Sequence, residues 1–453
     1  MTHERVAPGV AADYNRPHRP IRQEIPRSMS DRPRYARYSR WRLLRALVSG
    51  WNRRMQVALD ISGQADVVEV PLPGKRIFVL THPDDIRRVL LTEREKFPKS
   101  YDYDVLRQYM GDGLVTSAGE RWEADRKLLH PAFSNAATQP LRPMIESEVQ
   151  RVGERWRGLD TPLDPFAEMT TLTITVMGRR LLGCDLSRRA DEIRHAIDTC
   201  GKQAVRRAQA PVDWVRWFRT PAERRAQRAR ASLRAIIDDA RRNGGASERV
   251  STLLEESGRS TEESLDQLVT LFAAGYDTTG NALAWCLYEL AKNPGLQERV
   301  RAGVAGESGD EVLAALVQET LRFYPTVPGV GRVCPEGAEW DDVALPAGAT
   351  LFVFFYGMHH RPDLFVDPER FWPERFLGVR RESLPRRAYV PFGAGPRICI
   401  GSHFATQELQ VALGHLIPRF RLELADPAPI RPVPGISLTP SRSLRLYARP
   451  IEG

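Results

Sequence analysis

Long apolar runs are missing from this 453-residue sequence: no stretch reaches eighteen consecutive apolar residues, which argues against a membrane-spanning helix. Residues 1–31 are polar and rich in arginine and proline, without the apolar centre of a signal peptide. The five cysteines are scattered, odd in number and form no CxxC pair, so no disulfide framework is indicated. We therefore expect a cytoplasmic protein in a reducing compartment, with no transmembrane anchor.

Lysine is also scarce: only 6 of the 66 Lys and Arg residues are lysine, and the formal net charge is +9. An excess of positive charge could serve an acidic partner or nucleic acid. The simpler interpretation is a solvated surface spread over many helices, so we expect no nucleic-acid binding. Hydrophobic residues make up 42% of the chain, which is enough for a large core.

The pattern of apolar residues predicts a mainly α fold with small antiparallel β-sheets. Helical periodicity is present in residues 41–61 and dominates residues 121–293. No internal repeat and no linker between two cores is found. We therefore expect a flexible N-terminal arm over residues 1–40 and a single domain over residues 41–453. The strand-like runs are short and cover residues 67–70, 77–80, 350–355, 436–438 and 444–447.

One predicted helix, from about Thr261 to Asn293, is far longer than the rest. Ser260 and Glu263 form a capping box at its start, and Pro294 stops it. At 1.5 Å per residue the helix would be roughly 50 Å long. Because it is apolar on most sides, we expect it to be the central helix of the fold.

The segment Phe392–Gly401, with the sequence FGAGPRICIG, carries the densest motif. A dinucleotide-binding loop is disfavoured, because the third glycine of GxGxxG is absent and Pro396 interrupts the segment. A zinc site could use Cys399 and His403, one helical turn apart. Zinc needs three or four ligands, however, and no third Cys or His is near in sequence.

A haem-thiolate site accounts for every fixed position of this segment. Cys399 would ligate the iron as a thiolate, which the N-terminus of the following helix favours. Gly395 and Gly401 would let the backbone approach the sulfur and turn sharply. Arg397 can pair with a haem propionate, and Phe392 can pack beside the sulfur.

The segment resembles the haem-binding loop of the cytochrome P450 family, Phe-x-x-Gly-x-Arg-x-Cys-x-Gly, at every fixed position. The resemblance extends from roughly Trp41 to Arg449 and is greatest to soluble bacterial members of the fatty-acid- and terpenoid-oxidising branch. It implies the P450 fold, haem b as cofactor and a monomer. We expect no fused reductase domain. The resemblance therefore implies electrons from NAD(P)H through separate redox proteins, a ferredoxin and a ferredoxin reductase.

A polar run, AGYDTT from Ala274 to Thr279, lies in the middle of the long helix and is poor helix material. A polar kink without function is one interpretation. The run also resembles the family's acid–alcohol pair, which implies oxygen activation. In that case Thr278 hydrogen-bonds the bound dioxygen, Asp277 supplies protons through water, and Gly275 opens room for dioxygen.

Two further motifs carry paired charges. Glu319 and Arg322 share one helical face, and alone they could be an ordinary surface ion pair. The resemblance implies that they join Arg375, from the FWPERF segment, in a buried triad behind the haem.

Three more residues are candidate propionate contacts. Trp122 and Arg126 are four residues apart on a helix, and the alternative is an Arg stem covering a Trp. The resemblance implies that this pair holds a haem propionate. Arg332 is a further candidate.

The resemblance also assigns candidate substrate and partner contacts. The substrate candidates are apolar, which suggests a hydrophobic small molecule, although each could equally be a core residue. They are Val115, Leu271, Ala274, Val327 and Ile436. Four basic residues could dock an acidic ferredoxin or simply be solvated surface, namely Arg121, Lys127, Arg386 and Arg387.

We therefore predict a haem-thiolate monooxygenase that uses dioxygen and two externally supplied electrons to hydroxylate or epoxidise a hydrophobic small molecule. A terpenoid or another intermediate of secondary metabolism, such as antibiotic biosynthesis, is the expected substrate. Two alternatives stay open. One is peroxide-driven oxidation, aryl coupling or rearrangement on the same fold, and the other is a non-catalytic haem-binding sensor. The Asp277–Thr278 pair disfavours both.

Overall fold

Helices make up most of the structure, a computed structural model that describes residues 32–39, 41, 54–72, 74–208, 220–245, 249–340, 343–385 and 387–451. The α-helices in these ranges are α1 Arg54–Ser62, α2 Pro83–Arg87, α3 Asp102–Met110, α4 Gly119–Leu129, α5 Asn135–Thr138, α6 Arg142–Arg157, α7 Pro165–Leu182, α8 Ala190–Ala208, α9 Pro221–Asn243, α10 Val250–Glu256, α11 Thr261–Lys292, α12 Pro294–Ala305, α13 Gly309–Phe323, α14 Phe355–His359, α15 Gly378–Glu382 and α16 Ser402–Arg419. None of the helices described is long and apolar enough to cross a membrane.

The strands form one five-stranded sheet and three two-stranded sheets. They are β1 Tyr35–Arg37, β2 Val67–Leu72, β3 Lys75–Leu80, β4 Val330–Cys334, β5 Ala338–Trp340, β6 Val343–Leu345, β7 Ala349–Val353, β8 Phe420–Leu424, β9 Pro432–Pro434, β10 Leu438–Pro440 and β11 Leu446–Pro450. The large sheet has the order β1-β2-β3-β7-β4, and the small ones pair β5 with β6, β8 with β11 and β9 with β10.

The predicted fold class, mainly α with small antiparallel sheets, is confirmed, but the large sheet is mixed. The three small sheets are antiparallel, whereas β1–β2 and β3–β7 are parallel pairs. The strand β7 comes some 270 residues after β3, so no hairpin constrains its direction. The runs predicted at 436–438 and 444–447 become strands two residues later, at Leu438 and Leu446.

The prediction of a flexible arm over residues 1–40 is wrong for residues 32–39. Tyr35 pairs with Val67 in the parallel β1–β2 ladder, and its hydroxyl donates to Glu69 at 2.5 Å. These bonds fix the segment as the edge of the large sheet. Residues 1–31 lie outside the described residues. So does most of the predicted helix at 41–61, where the structure describes α1 from Arg54 onwards.

The long helix α11 lies at the centre of the fold. Its capping box is formed, with Ser260 and Glu263 each bonded to the backbone N–H of the other. The helix is 32 residues long and packs most extensively against α7. Phe272, Leu283 and Trp285 on α11 are completely buried in the main hydrophobic core. A second core, under the large sheet, contains Phe78, Trp340 and Phe365.

A buried charge cluster joins α13 to the segment after the large sheet. Glu319 Oε2 lies 2.7 Å from Arg322 Nε and 3.0 Å from Arg375 Nε, and all three side chains are at most 3% exposed. The backbone N–H of Trp372 donates to Glu319 at 2.7 Å. Both guanidinium groups also donate to backbone carbonyls, including that of Arg370. The sequence motifs thus meet as a buried, hydrogen-bonded triad.

We predict that Arg375→Ala lowers the free energy of unfolding by about 3–5 kcal/mol, because the Glu319 carboxylate would stay buried with one cation fewer. Urea unfolding of the purified protein measures this loss. The matched control is Arg142→Ala, which removes an exposed ion pair to Glu146 at 2.8 Å and should cost less than about 1 kcal/mol. Equal losses in the two variants would contradict the importance given to the triad.

Candidate functional site

The Cys399 thiol faces an internal space at the start of α16. Its backbone N–H donates to the Phe392 carbonyl at 3.0 Å, which closes the loop around it. The Cys399 side chain has accessible surface, although the protein surrounds it closely enough that burial raises the pKa of the thiol. The accessible surface therefore faces a space inside the protein. The Gly401 N–H and the positive charge of Arg126 act in the opposite direction and lower this pKa. Both favour the thiolate.

Glycine is required at one position of the loop on steric grounds. Gly395 has φ +73°, and a Cβ there would clash with the Leu90 carbonyl oxygen. Gly401, by contrast, has φ −91°, and a Cβ there would meet no atom of the described residues within 4 Å. The chain does turn at this position, but neither the backbone conformation nor the surrounding protein requires glycine there. Its backbone N–H serves the sulfur, and any residue except proline supplies one.

Cations gather beside the loop without carboxylate partners. The Arg397 guanidinium stacks 4.1 Å from the centre of the half-buried Trp122 ring and donates to the Ser117 carbonyl at 3.3 Å. Arg332 is 7% exposed, and Lys99 pairs with it in an isolated β-bridge. In the part of the chain that the structure describes, no salt bridge is formed by these cations or by Arg126, which lies one helical turn from Trp122.

Lys99 is the member of this group that sequence reasoning missed. Its ammonium donates to the carbonyls of Val115 and Ser117 at 2.6 and 2.7 Å. Burial, with Arg397 and Arg332 adding repulsion, lowers the pKa of Lys99 to about 6. No motif marks a single lysine. Only the bridge to Arg332, which comes from a distant strand, brings it to the site.

These residues fit a haem. The Cys399 sulfur is a suitable axial ligand for iron, and it opens onto internal space. The group Lys99, Arg126, Arg332 and Arg397 suits a ligand that carries two carboxylates, as haem b does. The half-buried Phe392 packs against the main core at the same loop. No cluster of three or more His, Cys, Asp or Glu that could bind a metal ion is found among the described residues.

The acid–alcohol pair lies on an unbroken helix. Thr278 Oγ1 donates to the Ala274 carbonyl at 2.8 Å, and Asp277 Oδ1 accepts from Asn281 at 3.1 Å. Burial raises the pKa of Asp277 to about 6, the negative charge of Asp198 adds to this, and hydrogen bonds from Ser437 and Asn281 oppose it. The carboxyl can therefore gain and lose a proton near neutral pH.

Gly275 has a packing role in the structure, and its predicted role of opening room for dioxygen stays a prediction. The helix α11 is continuous through this position. A Cβ at Gly275 would clash with the end of the Met177 side chain on α7. The glycine thus makes room for a neighbouring helix, which explains why the two helices can pack so closely.

The substrate candidates divide into two groups. Ala274 is exposed although Phe272 and Tyr276 on the same helix are completely buried, so it faces internal space. Val115 is 36% exposed, Ile436 is 42% exposed and Val327 is half-buried. These four remain candidates.

Leu271, in contrast, is 5% exposed and belongs to the main core. Its burial in the core disagrees with its predicted role of lining the substrate site.

The basic residues proposed for partner docking also differ from one another. Arg121 lies 3.6 Å from both Asp112 and Glu263, so it ties α4 to the start of α11. It therefore has a structural role, and its docking role stays a prediction. Arg387 is exposed and lies 3.5 Å from Asp84. Lys127 is exposed on α4, and Arg386 lies outside the described residues.

We predict that Gly395→Ala disrupts the cysteine loop more than Gly393→Ala. Both positions have positive φ, which costs an L-residue about 1–2 kcal/mol. Only at Gly395 does the added Cβ also clash with the backbone of Leu90, whereas an added Cβ at Gly393 would meet no atom of the described residues within 4 Å. The unfolding free energy and the haem content of the purified variants measure the difference. Identical behaviour of the two variants would show that the close approach to Leu90 does not matter.

Comparison with known proteins places the chain in a family. The family model for cytochrome P450 matches residues 64–445. A cyclooctat-9-en-7-ol 5-monooxygenase of Streptomyces melanosporofaciens is 33% identical over 86% of this chain and 87% of the relative. Cyclooctatin synthase of the same organism is 29% identical over 88% of this chain and 90% of the relative.

A solved structure gives the same answer. The crystal structure of a 6-coordinated cytochrome P450 from Thermus thermophilus matches with a TM-score of 0.72 at 28% identity. The match covers 88% of this chain and 99% of that one. With a family model, two relatives and a solved structure that all cover most of its length, the chain belongs to the cytochrome P450 family.

Proposed function

We propose that this protein is a haem-thiolate monooxygenase that hydroxylates or epoxidises a terpenoid, and that Cys399 would hold the iron of its haem. The observation that carries the proposal is the Cys399 thiol, which faces internal space beside unpaired cations. The enzyme class predicted from the sequence, a cytochrome P450 monooxygenase, is confirmed by the family match and by a relative named as a monooxygenase.

Haem is the cofactor of this family, and when bound it supplies the iron at which dioxygen is activated. We assign the propionates to the cationic group of Lys99, Arg126, Arg332 and Arg397, with Trp122 stacked against Arg397. The Gly401 N–H and the charge of Arg126 favour the thiolate form of Cys399, against the burial that raises the pKa of the thiol. We assign the triad of Glu319, Arg322 and Arg375 to folding and haem retention and not to the chemistry.

Proton delivery is assigned to Asp277 and Thr278. The pKa of Asp277, raised to about 6, lets its carboxyl carry a proton at the pH where many enzymes work. The Thr278 hydroxyl, bonded to the Ala274 carbonyl at 2.8 Å, can turn its proton towards the internal space beside Ala274. This pair disfavours the alternatives of peroxide-driven oxidation, aryl coupling, rearrangement or a haem sensor.

The substrate class follows from the apolar candidates and from the relatives. Val115, Ala274, Val327 and Ile436 offer no charge to a ligand, which suits a hydrophobic molecule. Both Streptomyces relatives are named for cyclooctatin chemistry, and this supports a terpenoid of secondary metabolism. Electrons would come from NAD(P)H through a ferredoxin reductase and a ferredoxin. That route, the monomeric state and the cytoplasmic location stay predictions.

We predict that reduced wild-type protein loaded with haem gives the thiolate-specific band in a carbon monoxide difference spectrum and that Cys399→Ala does not. The reason is that alanine leaves the iron without its sulfur ligand. Cys200→Ala is the matched control, since that thiol is buried and bonded to the Ala226 carbonyl at 3.5 Å. A thiolate band that persists in Cys399→Ala would overturn the proposal.

We predict that Thr278→Ala lowers the fraction of consumed NAD(P)H that appears as oxidised terpenoid by about tenfold or more, because proton delivery fails and reducing equivalents are lost as peroxide. Turnover with ferredoxin and its reductase measures this fraction. Thr171→Ala is the control, because Thr171 also bonds a carbonyl one turn back, that of Ala167, at 2.8 Å. Unchanged coupling in Thr278→Ala would rule out the role given to this hydroxyl.

A further inference from the structure

We infer that Ser437 is a positioning residue for Asp277, holding its carboxyl in the orientation from which it delivers protons. The inference rests on the proposed role of Asp277. Ser437 lies in the bend between β9 and β10, more than 150 residues after Asp277, and no motif links the two.

The geometry is an amide bridge, in which Asn281 holds the Asp277 carboxyl and the Ser437 hydroxyl side by side. The Asn281 side-chain amide donates to Asp277 Oδ1 at 3.1 Å and to Ser437 Oγ at 3.0 Å. Because both hydrogens of this amide are used, the Ser437 hydroxyl accepts one of them and is left to donate its own proton. Interaction of this hydroxyl with the Asp277 carboxyl lowers the pKa of Asp277. Asn281 and Ser437 are 3% and 5% exposed, so water does not readily replace either partner.

The bend that carries Ser437 is fixed independently of Asp277. The backbone N–H of Gly435 donates to the Ser437 carbonyl at 3.0 Å. Leu438 is held on both sides, since its N–H donates to the Thr326 carbonyl at 2.9 Å and its carbonyl accepts from Trp285 at 3.2 Å. The hydroxyl therefore sits at a defined place, and Asp277 orients towards it.

Charged groups around Asp277 cannot supply this orientation. In the described residues Asp277 forms no salt bridge, and the neighbouring charge that acts on it is Asp198 of α8, which repels it. Tyr276, next to it on α11, is buried and its hydroxyl has no hydrogen-bond partner among the described residues. The positive charge of Arg194 lowers the pKa of Tyr276, against the burial that raises it. Neutral donors thus decide where the carboxylate points.

Loss of the Ser437 hydroxyl has two consequences. A hydrogen bond to the ionised carboxylate favours that form, so its removal raises the pKa of Asp277. It also frees the carboxyl to rotate about the single remaining donor, Asn281. Protons then reach the reacting oxygen less reliably, and more electrons are lost as peroxide.

The test compares Ser437→Ala with Ser437→Thr, which keeps the hydroxyl. The second control is Ser251→Ala, which removes a buried hydroxyl of α10 that has no hydrogen-bond partner among the described residues. The first readout is the infrared carboxyl band of Asp277, followed against pH in the protein without substrate. Asp277→Asn identifies the band by its disappearance. We expect Ser437→Ala to raise the pKa of Asp277 and the other two variants to leave it unchanged.

The second readout is the coupling of NAD(P)H to product. Ser437→Ala should lose about threefold to tenfold, the range expected for one hydrogen bond, while Ser437→Thr and Ser251→Ala couple like wild type. A Ser437→Ala variant with wild-type titration and coupling overturns the inference, and so does an equal loss in Ser437→Thr. If Asp277→Asn itself couples normally, the proposed role of Asp277 fails, and the infrared titration still decides whether Ser437 holds the carboxyl.

Discussion

In the proposed haem-thiolate site, keeping an anionic sulfur inside the protein is the constraint on which the other features depend. Burial disfavours the charged form of any group, and the pKa of the Cys399 thiol is raised for this reason. The Gly401 N–H and the charge of Arg126 oppose the effect. Iron bound at the proposed site would complete the compensation, since a metal ion holds a coordinated thiol deprotonated. The loop, the cations and the start of α16 are arranged around this one requirement.

The geometry of that loop depends on packing far from the sulfur. Gly395 packs closely against the backbone of Leu90, which belongs to the core under the large sheet. This contact fixes the position of the loop relative to a distant part of the chain. Behind it, Glu319 joins α13 to the segment that leads into the loop. A buried triad of this kind adds little net free energy to folding, but the loss of one member is strongly destabilising. It therefore fixes position more than it adds free energy.

Desolvation has opposite roles at Cys399 and at Asp277. At Cys399 it must be overcome to keep a charge, whereas at Asp277 it raises the pKa to about 6 and lets a carboxyl hold a proton. The donors at Asp277 are the neutral side chains of Asn281 and Ser437 and not cations. Neutral donors keep the pKa near neutrality, where an arginine would drive it down. The balance between burial and donors thus sets the chemistry of each group.

The sequence by itself determined the family, the cysteine loop, the capping box of α11 and the residue types of the acid–alcohol pair, because these depend on spacing within single segments. Contacts between segments that meet only in the folded chain could not be predicted from the sequence. Lys99 joins Arg332 through a bridge between distant segments, Ser437 reaches Asp277 across the fold, and Gly275 makes room for Met177. Packing likewise placed Leu271 in the core and β1 in the sheet. Burial and long-range contacts are properties of the tertiary structure, and a local pattern carries no information about which distant group will fill the space beside a residue.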